Sequence, residues 1–175
     1  MASSFIRHGD FGFWANDGFV EAMQLCLINE IESNQADSVD WVAAFKVELA
    51  LQSFPMIYGG MSMELDDFLD TDERKEIVLR LIDQIMSHIN SVSDYLIGTT
   101  MHTFRKRSMQ ILQETGKVDF KNENEFQKAV NDSNWLGSSI HEIKDRYTHS
   151  FVLLKRLILG QIKTTASSPI DYWNY

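Results

Sequence analysis

The amino-acid sequence predicts an all-α protein, a single-domain helical bundle of about six to eight helices over residues 1–175. Only two prolines occur among the 175 residues, so long stretches contain no helix-breaking residue. Apolar residues recur at the three- and four-residue spacing of an α-helix in one segment after another. The chain is 44% hydrophobic and contains eleven Phe, five Tyr and four Trp, which provides enough apolar mass for one core and argues against disorder.

The first two helices are predicted from apolar spacing and from short polar residues whose side chains can accept hydrogen bonds from free backbone N–H groups. They are expected from Asn16 or Asp17 to about Glu32, and from Asp37 or Ser38 to about Ser53. Pro55 ends the second, because proline disfavours helical geometry in the residue before it. The N-terminal segment 1–15 is expected to be irregular, and 56–61 is expected to form a loop.

Four further helices are predicted along the rest of the chain. They are expected from Asp70 to Val92, from Met101 to Glu114, from Asn122 or Asn124 to Val130, and from Ile140 to Ile158. Asp70 and Glu73 have the spacing of a capping box, and the apolar stripe that follows is broad enough to face a core. Gly116 and Gly160 stand where helices commonly end. The C-terminal tail 164–175 shows no helical pattern.

Charge is distributed unevenly along the chain. Residues 1–80 carry fifteen Asp and Glu against five Lys and Arg, a net of −10, whereas residues 81–175 carry ten against eleven, a net of +1. Six acids fall within ten residues: Glu64, Asp66, Asp67, Asp70, Asp72 and Glu73. A clustered negative field attracts a basic partner and repels nucleic acid, so we expect a protein partner and no direct nucleic-acid binding.

The acidic segment 64–73 also contains apolar residues. Leu65, Phe68 and Leu69 alternate with the acids, and an apolar centre within a charged rim is the usual composition of a binding hot spot. The sequence therefore predicts a partner-binding surface made of the six acids, with Phe68 as its apolar anchor. The alternative is a solubilising surface without a partner.

No catalytic motif is present, and no cofactor or metal is predicted. His141, Asp145 and His149 would share one helix face, and two His and a carboxylate can hold a transition metal. The two imidazoles would however be two turns apart, about 12 Å along the axis, which favours a solvated polar face. Cys26 lies among apolar residues in mid-helix, which is typical of a small buried side chain rather than a nucleophile.

Arg105, Lys106 and Arg107 form the tightest basic cluster of the chain. A solvated helix face pairing with nearby acids is the favoured interpretation, and docking onto the chain's own acidic segment is a second one. Contact with phosphate is a third, but a nucleic-acid binder normally shows a basic domain, whereas the isoelectric point here is about 4.9.

Cytoplasmic localisation is expected from three features. The N-terminus lacks the basic and apolar regions of a signal peptide. No segment approaches the length of a membrane span, so no membrane association is expected. The single cysteine excludes an internal disulfide and fits a reducing compartment.

The opening Phe11–Met23 (FGFWANDGFVEAM), in a small acidic helical chain without a catalytic motif, is similar to the start of some immunity proteins of bacterial contact-dependent growth inhibition and related polymorphic toxin systems. The resemblance implies a cytoplasmic protein that binds and blocks the toxic C-terminal domain of an imported effector, often a basic nuclease. Two rivals remain open, a helical adaptor or regulatory subunit and a small metal-binding helical enzyme. Neither the toxin's activity nor self-association follows from the sequence.

Overall fold

Six α-helices make up most of the chain that the computed structural model describes, namely residues 3–54, 62–91, 96, 98–132, 140–167 and 173–174, with backbone alone for 3, 140–143, 173 and 174. The helices are α1 Asp17–Ser33, α2 Asp40–Gln52, α3 Asp72–Ser91, α4 Gly98–Glu114, α5 Glu123–Asn131 and α6 Ile140–Ile158. The chain is therefore a mainly α-helical single domain, and the predicted fold class is confirmed.

Local polar groups explain most helix ends. Asn16 caps α1 by accepting a hydrogen bond of 2.9 Å from the backbone N–H of Gly18. Asn122 caps α5 in the same way, accepting from the N–H of Glu125 at 3.1 Å. Gly116 follows α4 with a φ of +67°, a left-handed conformation that favours glycine at a helix C-terminus. These boundaries agree with the sequence prediction.

The start of α3 differs from the predicted capping box. The backbone N–H of Arg74 donates to the side-chain oxygen of Thr71 at 3.3 Å, so Thr71 rather than Asp70 caps the helix. Asp70 instead accepts a hydrogen bond of 2.9 Å from the guanidinium of Arg74. The prediction that Asp70 and Glu73 form a capping box is wrong, because the carboxylate of Asp70 pairs with Arg74 one turn further along the chain.

A short 3-10 helix, Ala36–Ser38, delays the start of α2 relative to the prediction. It follows Gln35, which has a φ of +52°. The predicted loop 56–61 lies outside the described residues, and so do Pro55 and Val92, the predicted last residue of the third helix.

The N-terminal segment, expected to be irregular, forms strands. β1 (Ser3–His8) and β2 (Phe11–Asn16) are antiparallel, and β3 (Met63–Glu64) and β4 (Trp173–Asn174) add to their outer sides in the order β3-β1-β2-β4. The irregular assignment of 1–15 is wrong because its residues alternate with period two: Ile6, Phe13 and Ala15 are buried, while the rings of Phe5 and Trp14 pack against each other at a tilt on the opposite face.

The C-terminal tail crosses back to the sheet. The carbonyl oxygen of Thr164 accepts a hydrogen bond of 2.8 Å from the backbone N–H of Gly12, and the Thr164 hydroxyl donates to the carbonyl of Gly12 at 2.5 Å. β4 pairs in parallel with β2 through Trp173 and Trp14. The two ends of the chain are thereby joined at one sheet.

The core is centred on α1, which packs against α2, α3, α4, α6 and the hairpin. Twelve of its seventeen residues are buried, so this helix has no solvent face of ordinary width. Cys26 is fully buried there, as predicted. Three of the buried side chains of α1 are polar: Glu21, Gln24 and Glu30.

Candidate partner-binding surface

The six predicted acids lie along a continuous stretch from β3 to the first turn of α3. They occupy the end of β3 (Glu64), the turn that follows (Asp66 and Asp67), the approach to α3 (Asp70) and its first turn (Asp72 and Glu73). Five of the six side chains are exposed and Asp66 is half-buried. The structure therefore brings these acids to the surface, where most of them pair with a cation.

Four of the acids have internal partners. Glu64 accepts from Arg7 at 3.2 Å, and Asp66 lies 3.1 Å from the ring nitrogen of His8 and accepts from the backbone N–H of Gly9. Asp70, just before α3, pairs with Arg74 at 2.9 Å, and Asp72, in the first turn of α3, pairs with Lys75 at 3.5 Å. These exposed pairs are weak individually, but they reduce the negative field that the sequence predicted.

Two of the six acids retain their charge without a cation. Asp67 and Glu73 are exposed and have no ion pair among the described residues. Glu76, one turn beyond Glu73 and outside the predicted set, is in the same position. Glu73 lies in the first turn of α3, where the helix dipole favours an anion.

Phe68 is partly buried. Its ring packs against the core at a centroid distance of 5.2 Å from the ring of Phe45. Leu65 and Leu69, which flank it, are buried. The turn after β3 thus uses its apolar residues to close the core, and the role of Phe68 as the apolar anchor of a partner surface stays a prediction.

A shallow groove beside Glu73 and Glu76 presents further apolar side chains that are partly exposed. It has a volume of about 530 Å³ and lies along α3, with Ile77 and Leu79 as its apolar lining and Glu73 and Glu76 beside them. Both apolar side chains are partly buried, packed against the core on one side.

Two further charged residues line the groove. Arg80 is exposed and has no ion pair among the described residues, whereas Asp83 is held by the ammonium of Lys155 at 2.5 Å. Among the described residues, the unpaired charges that line the groove are thus two carboxylates, Glu73 and Glu76, against one guanidinium.

This groove was not predicted from the sequence, although the sequence contains one signal for it. Glu73, Glu76, Ile77 and Arg80 follow the three- and four-residue spacing that places side chains on one helix face. Ile77 also falls within the apolar stripe predicted to face the core, because apolar spacing alone does not distinguish a buried position from one at the edge of a groove.

The basic cluster 105–107 is divided by the fold. Arg105 is buried and donates to the carboxylate of Glu21 at 2.9 Å, so the prediction of a solvated face is wrong for it. Arg107 pairs with Glu32 at 2.8 Å and with Glu114 at 2.9 Å, in agreement with pairing to nearby acids. Neither arginine docks onto the acidic segment 64–73 in the described residues.

Glu32 is the centre of a charge network on the other side of α1. Burial by itself would raise the pKa of Glu32, but hydrogen bonds from Arg107 and Lys46, together with their charges, lower it below its ordinary value. The same hydrogen bond from Arg107 raises the pKa of that guanidinium. Lys46 also binds Asp37 at 2.6 Å, so the network connects α1, α2, α4 and the 3-10 turn.

The predicted histidine constellation gains no support as a metal site. Asp145 and His149 are exposed on α6, and the side chain of His141 lies outside the described residues. Within the described part of the chain, no three His, Cys, Asp or Glu side chains come together in a way that would hold a metal ion.

Comparisons of this chain with family models, with curated proteins and with solved structures find no match. None of the helices in the described part of the chain combines the length and the apolar character that crossing a membrane requires.

Proposed function

We propose that this chain is an immunity protein that binds and neutralises a cognate toxin domain, a basic nuclease, in the cytoplasm. The observation that supports this most directly is the groove along α3, where Glu73 and Glu76 stand without cations beside Ile77 and Leu79. Unpaired carboxylates beside apolar side chains are suited to a protein partner that presents Lys or Arg around an apolar contact.

A nuclease fits this surface for an electrostatic reason. Its active site must be electropositive to hold phosphate, and carboxylates on a complementary protein can occupy it in place of phosphate. The chain's net charge of −9 adds a long-range attraction that speeds association with such a partner. The internal pairs of Asp70 and Asp72 leave Asp67, Glu73 and Glu76 as the groups for the first contact.

The test is a growth assay in which the chain is co-expressed with the toxin domain encoded beside it. Rescue of growth, with a complex that forms on a sizing column at low salt and weakens at high salt, supports immunity. No rescue and no complex with the toxin contradicts the proposal. A complex with a different basic protein would favour the helical adaptor instead.

The surface is tested by charge reversal. The double variant Glu73→Lys/Glu76→Lys should lower the association rate with the toxin by about tenfold or more at low salt and flatten its salt dependence. Asp119→Lys/Asp145→Lys is the matched control, since both carboxylates are exposed and lie outside the groove. Equal rates for the two variants would show that the groove is not the interface.

A further inference from the structure

Arg80 is the only cation among the described residues that line the groove along α3. Its side chain is exposed and makes no ion pair within the part of the chain that the structure describes. Glu76 lies four residues before it and Asp83 three residues after it, at the two spacings that make side chains neighbours on a helix. Asp83 is engaged by Lys155 at 2.5 Å, whereas Glu76 is unpaired. Arg80 therefore stands as a positive charge within a row of carboxylates.

The preceding turn of α3 shows what holds an arginine in place on this helix. Arg74 pairs with Asp70 at 2.9 Å, also at a spacing of four residues, and its guanidinium lies 5.2 Å from the ring centroid of Trp41. Arg80 has neither a carboxylate nor an aromatic ring as a partner among the described residues. Exposed pairs at this spacing are weak, so the nearby Glu76 leaves Arg80 within reach of another protein.

A partner seated in the groove must cover Arg80. Leu79 directly precedes it in the chain, and Glu76 is about 6 Å from it along the helix axis, four residues at 1.5 Å each. Glu73 is about 10 Å away by the same measure. Contact with both glutamates and with the apolar side chains therefore brings the partner over the guanidinium. A charge that is covered without an opposite charge is strongly unfavourable.

We propose that Arg80 determines which basic proteins the groove accepts, and that the toxin presents a carboxylate to it. This inference rests on the proposed function and specifies the partner's surface: two cations that pair with Glu73 and Glu76, and an Asp or Glu about 6–10 Å further along the same line. Arginine suits such a contact because its planar fork gives a carboxylate two parallel hydrogen bonds. A surface that is basic throughout is rejected, since it sets another cation against Arg80.

Two other roles for Arg80 predict the opposite effect on binding. As a solubilising charge, or as an intrahelical partner of Glu76, the guanidinium reduces the attraction of the groove for a basic protein. Removing it would then strengthen toxin binding. If the guanidinium pairs with a carboxylate of the toxin, its removal weakens binding instead. The sign of the change therefore separates these roles from the proposed one.

The experiment measures the Kd between the full chain and the toxin domain encoded beside it, by surface plasmon resonance at low salt. Arg80→Glu should raise the Kd by about tenfold or more, because it sets two carboxylates against each other. Lys117→Glu is the matched control, since Lys117 is exposed, does not line the groove and gives the same change in net charge. Its Kd should equal that of the parent or be slightly lower. Circular dichroism establishes that each variant is folded.

Poly-L-lysine serves as a uniformly basic probe that does not depend on the toxin. It should bind Arg80→Glu about threefold or more tightly than it binds Lys117→Glu, because only the former change removes the cation from the groove. The same change is thus expected to weaken binding of the toxin and to strengthen binding of the polymer.

Charge reversal on the toxin identifies the carboxylate that faces Arg80. One of the toxin's surface acids, when changed to Lys, should restore binding to Arg80→Glu and weaken binding to the parent chain. A toxin in which no such change restores binding would overturn the proposal.

Two further results would also overturn it. They are toxin binding by Arg80→Glu that equals or exceeds that of Lys117→Glu, and poly-L-lysine binding that does not differ between the two variants. If the parent chain does not bind the toxin, the proposed function fails and this inference fails with it. A parent chain that binds the toxin no more tightly than Arg80→Glu does contradicts this inference alone.

Discussion

The guanidinium of Arg105 donates a hydrogen bond of 2.9 Å to the carboxylate of Glu21, and both side chains are fully enclosed by the protein. Arg105 also donates to the carbonyl oxygens of Ser53, Ala129 and Asp132, at distances from 2.5 to 3.2 Å. One buried side chain thus connects α1 to the C-terminal ends of α2 and α5. Burial lowers the pKa of Arg105, and the charge of Glu21 opposes that shift.

Replacing Arg105 by Met should reduce the free energy of unfolding by about 3–5 kcal/mol, because the carboxylate of Glu21 would remain buried without its cation. Urea denaturation followed by circular dichroism measures the change. Arg105→Lys, which keeps the charge and loses the planar fork of donors, should give an intermediate loss.

The control for this prediction is the double variant Glu21→Gln/Arg105→Met. Its loss of unfolding free energy should be smaller than the sum of the losses of the two single variants, because the double variant leaves no buried charge without its partner. Additive losses would mean that the two side chains do not depend on each other.

The helices were predictable because their signals are local. Asn16 and Asn122 cap helices through hydrogen bonds that reach only two or three residues along the chain, and the structure contains both. The hairpin was missed because β1 and β2 are stabilised by pairing with each other and with Met63 and Trp173, which are distant in sequence. Their short alternating pattern alone does not distinguish a strand from an irregular segment.

The candidate surface was predicted in part. Sequence placed Glu73 and Asp67 correctly on the surface, because clustered charges are rarely buried. It could not show that Asp66 would be held by His8 and Gly9, since these residues are 58 and 57 positions away in the chain. It also placed Arg105 in solvent, because no local pattern marks a charge whose partner lies on another helix.

Acid should destabilise the protein in part through Glu32. Its pKa is lower in the folded protein than the ordinary value of 4.5, so the ionised form favours folding. This contribution is complete above pH 4.5 and is lost as the pH falls through the lower folded pKa. The variant Glu32→Gln should therefore be less stable than the parent at neutral pH, with a difference that shrinks in acid.

The measurement is the free energy of unfolding from urea titrations at pH values on both sides of 4.5. Glu76→Gln serves as the control, because Glu76 is exposed and has no ion pair in the described structure. If the difference between parent and Glu32→Gln stayed constant with pH, the network of Arg107 and Lys46 would not be the source of the stabilisation.

Gly12 should not tolerate a side chain. A Cβ atom at this position would lie 2.0 Å from the carbonyl oxygen of Ile6 and 2.7 Å from the ring of Phe5, so the hairpin backbone would have to move. Gly12→Ala is expected to cost about 1–3 kcal/mol or more, as overpacking does. Thermal unfolding measures the loss, and a stability equal to that of the parent would contradict the close approach.

Gly116→Ala provides the comparison for a different mechanism. Nothing lies within 4 Å of its would-be Cβ atom, but its φ of +67° disfavours any side chain. The expected loss is therefore that of a left-handed residue, about 1–2 kcal/mol, without disturbance of neighbouring side chains.

Variants of Phe68 and variants of the groove residues Ile77 and Leu79 should affect different properties, the former stability and the latter toxin binding. Phe68→Ala removes a ring that packs on Phe45, so it should lower the free energy of unfolding by about 2–4 kcal/mol, near the lower end of the range for core phenylalanines. At temperatures where the variant remains folded, its affinity for the toxin should be unchanged.

Ile77→Ser/Leu79→Ser should instead raise the dissociation rate, because apolar contacts at an interface mainly set how long a complex lasts. Ile77→Ala/Leu79→Ala, which keeps the groove apolar but smaller, should have a weaker effect. If Phe68→Ala weakened binding while the folded protein kept its groove residues in place, the apolar anchor would be Phe68 after all, and the turn after β3 would be the surface that the toxin contacts.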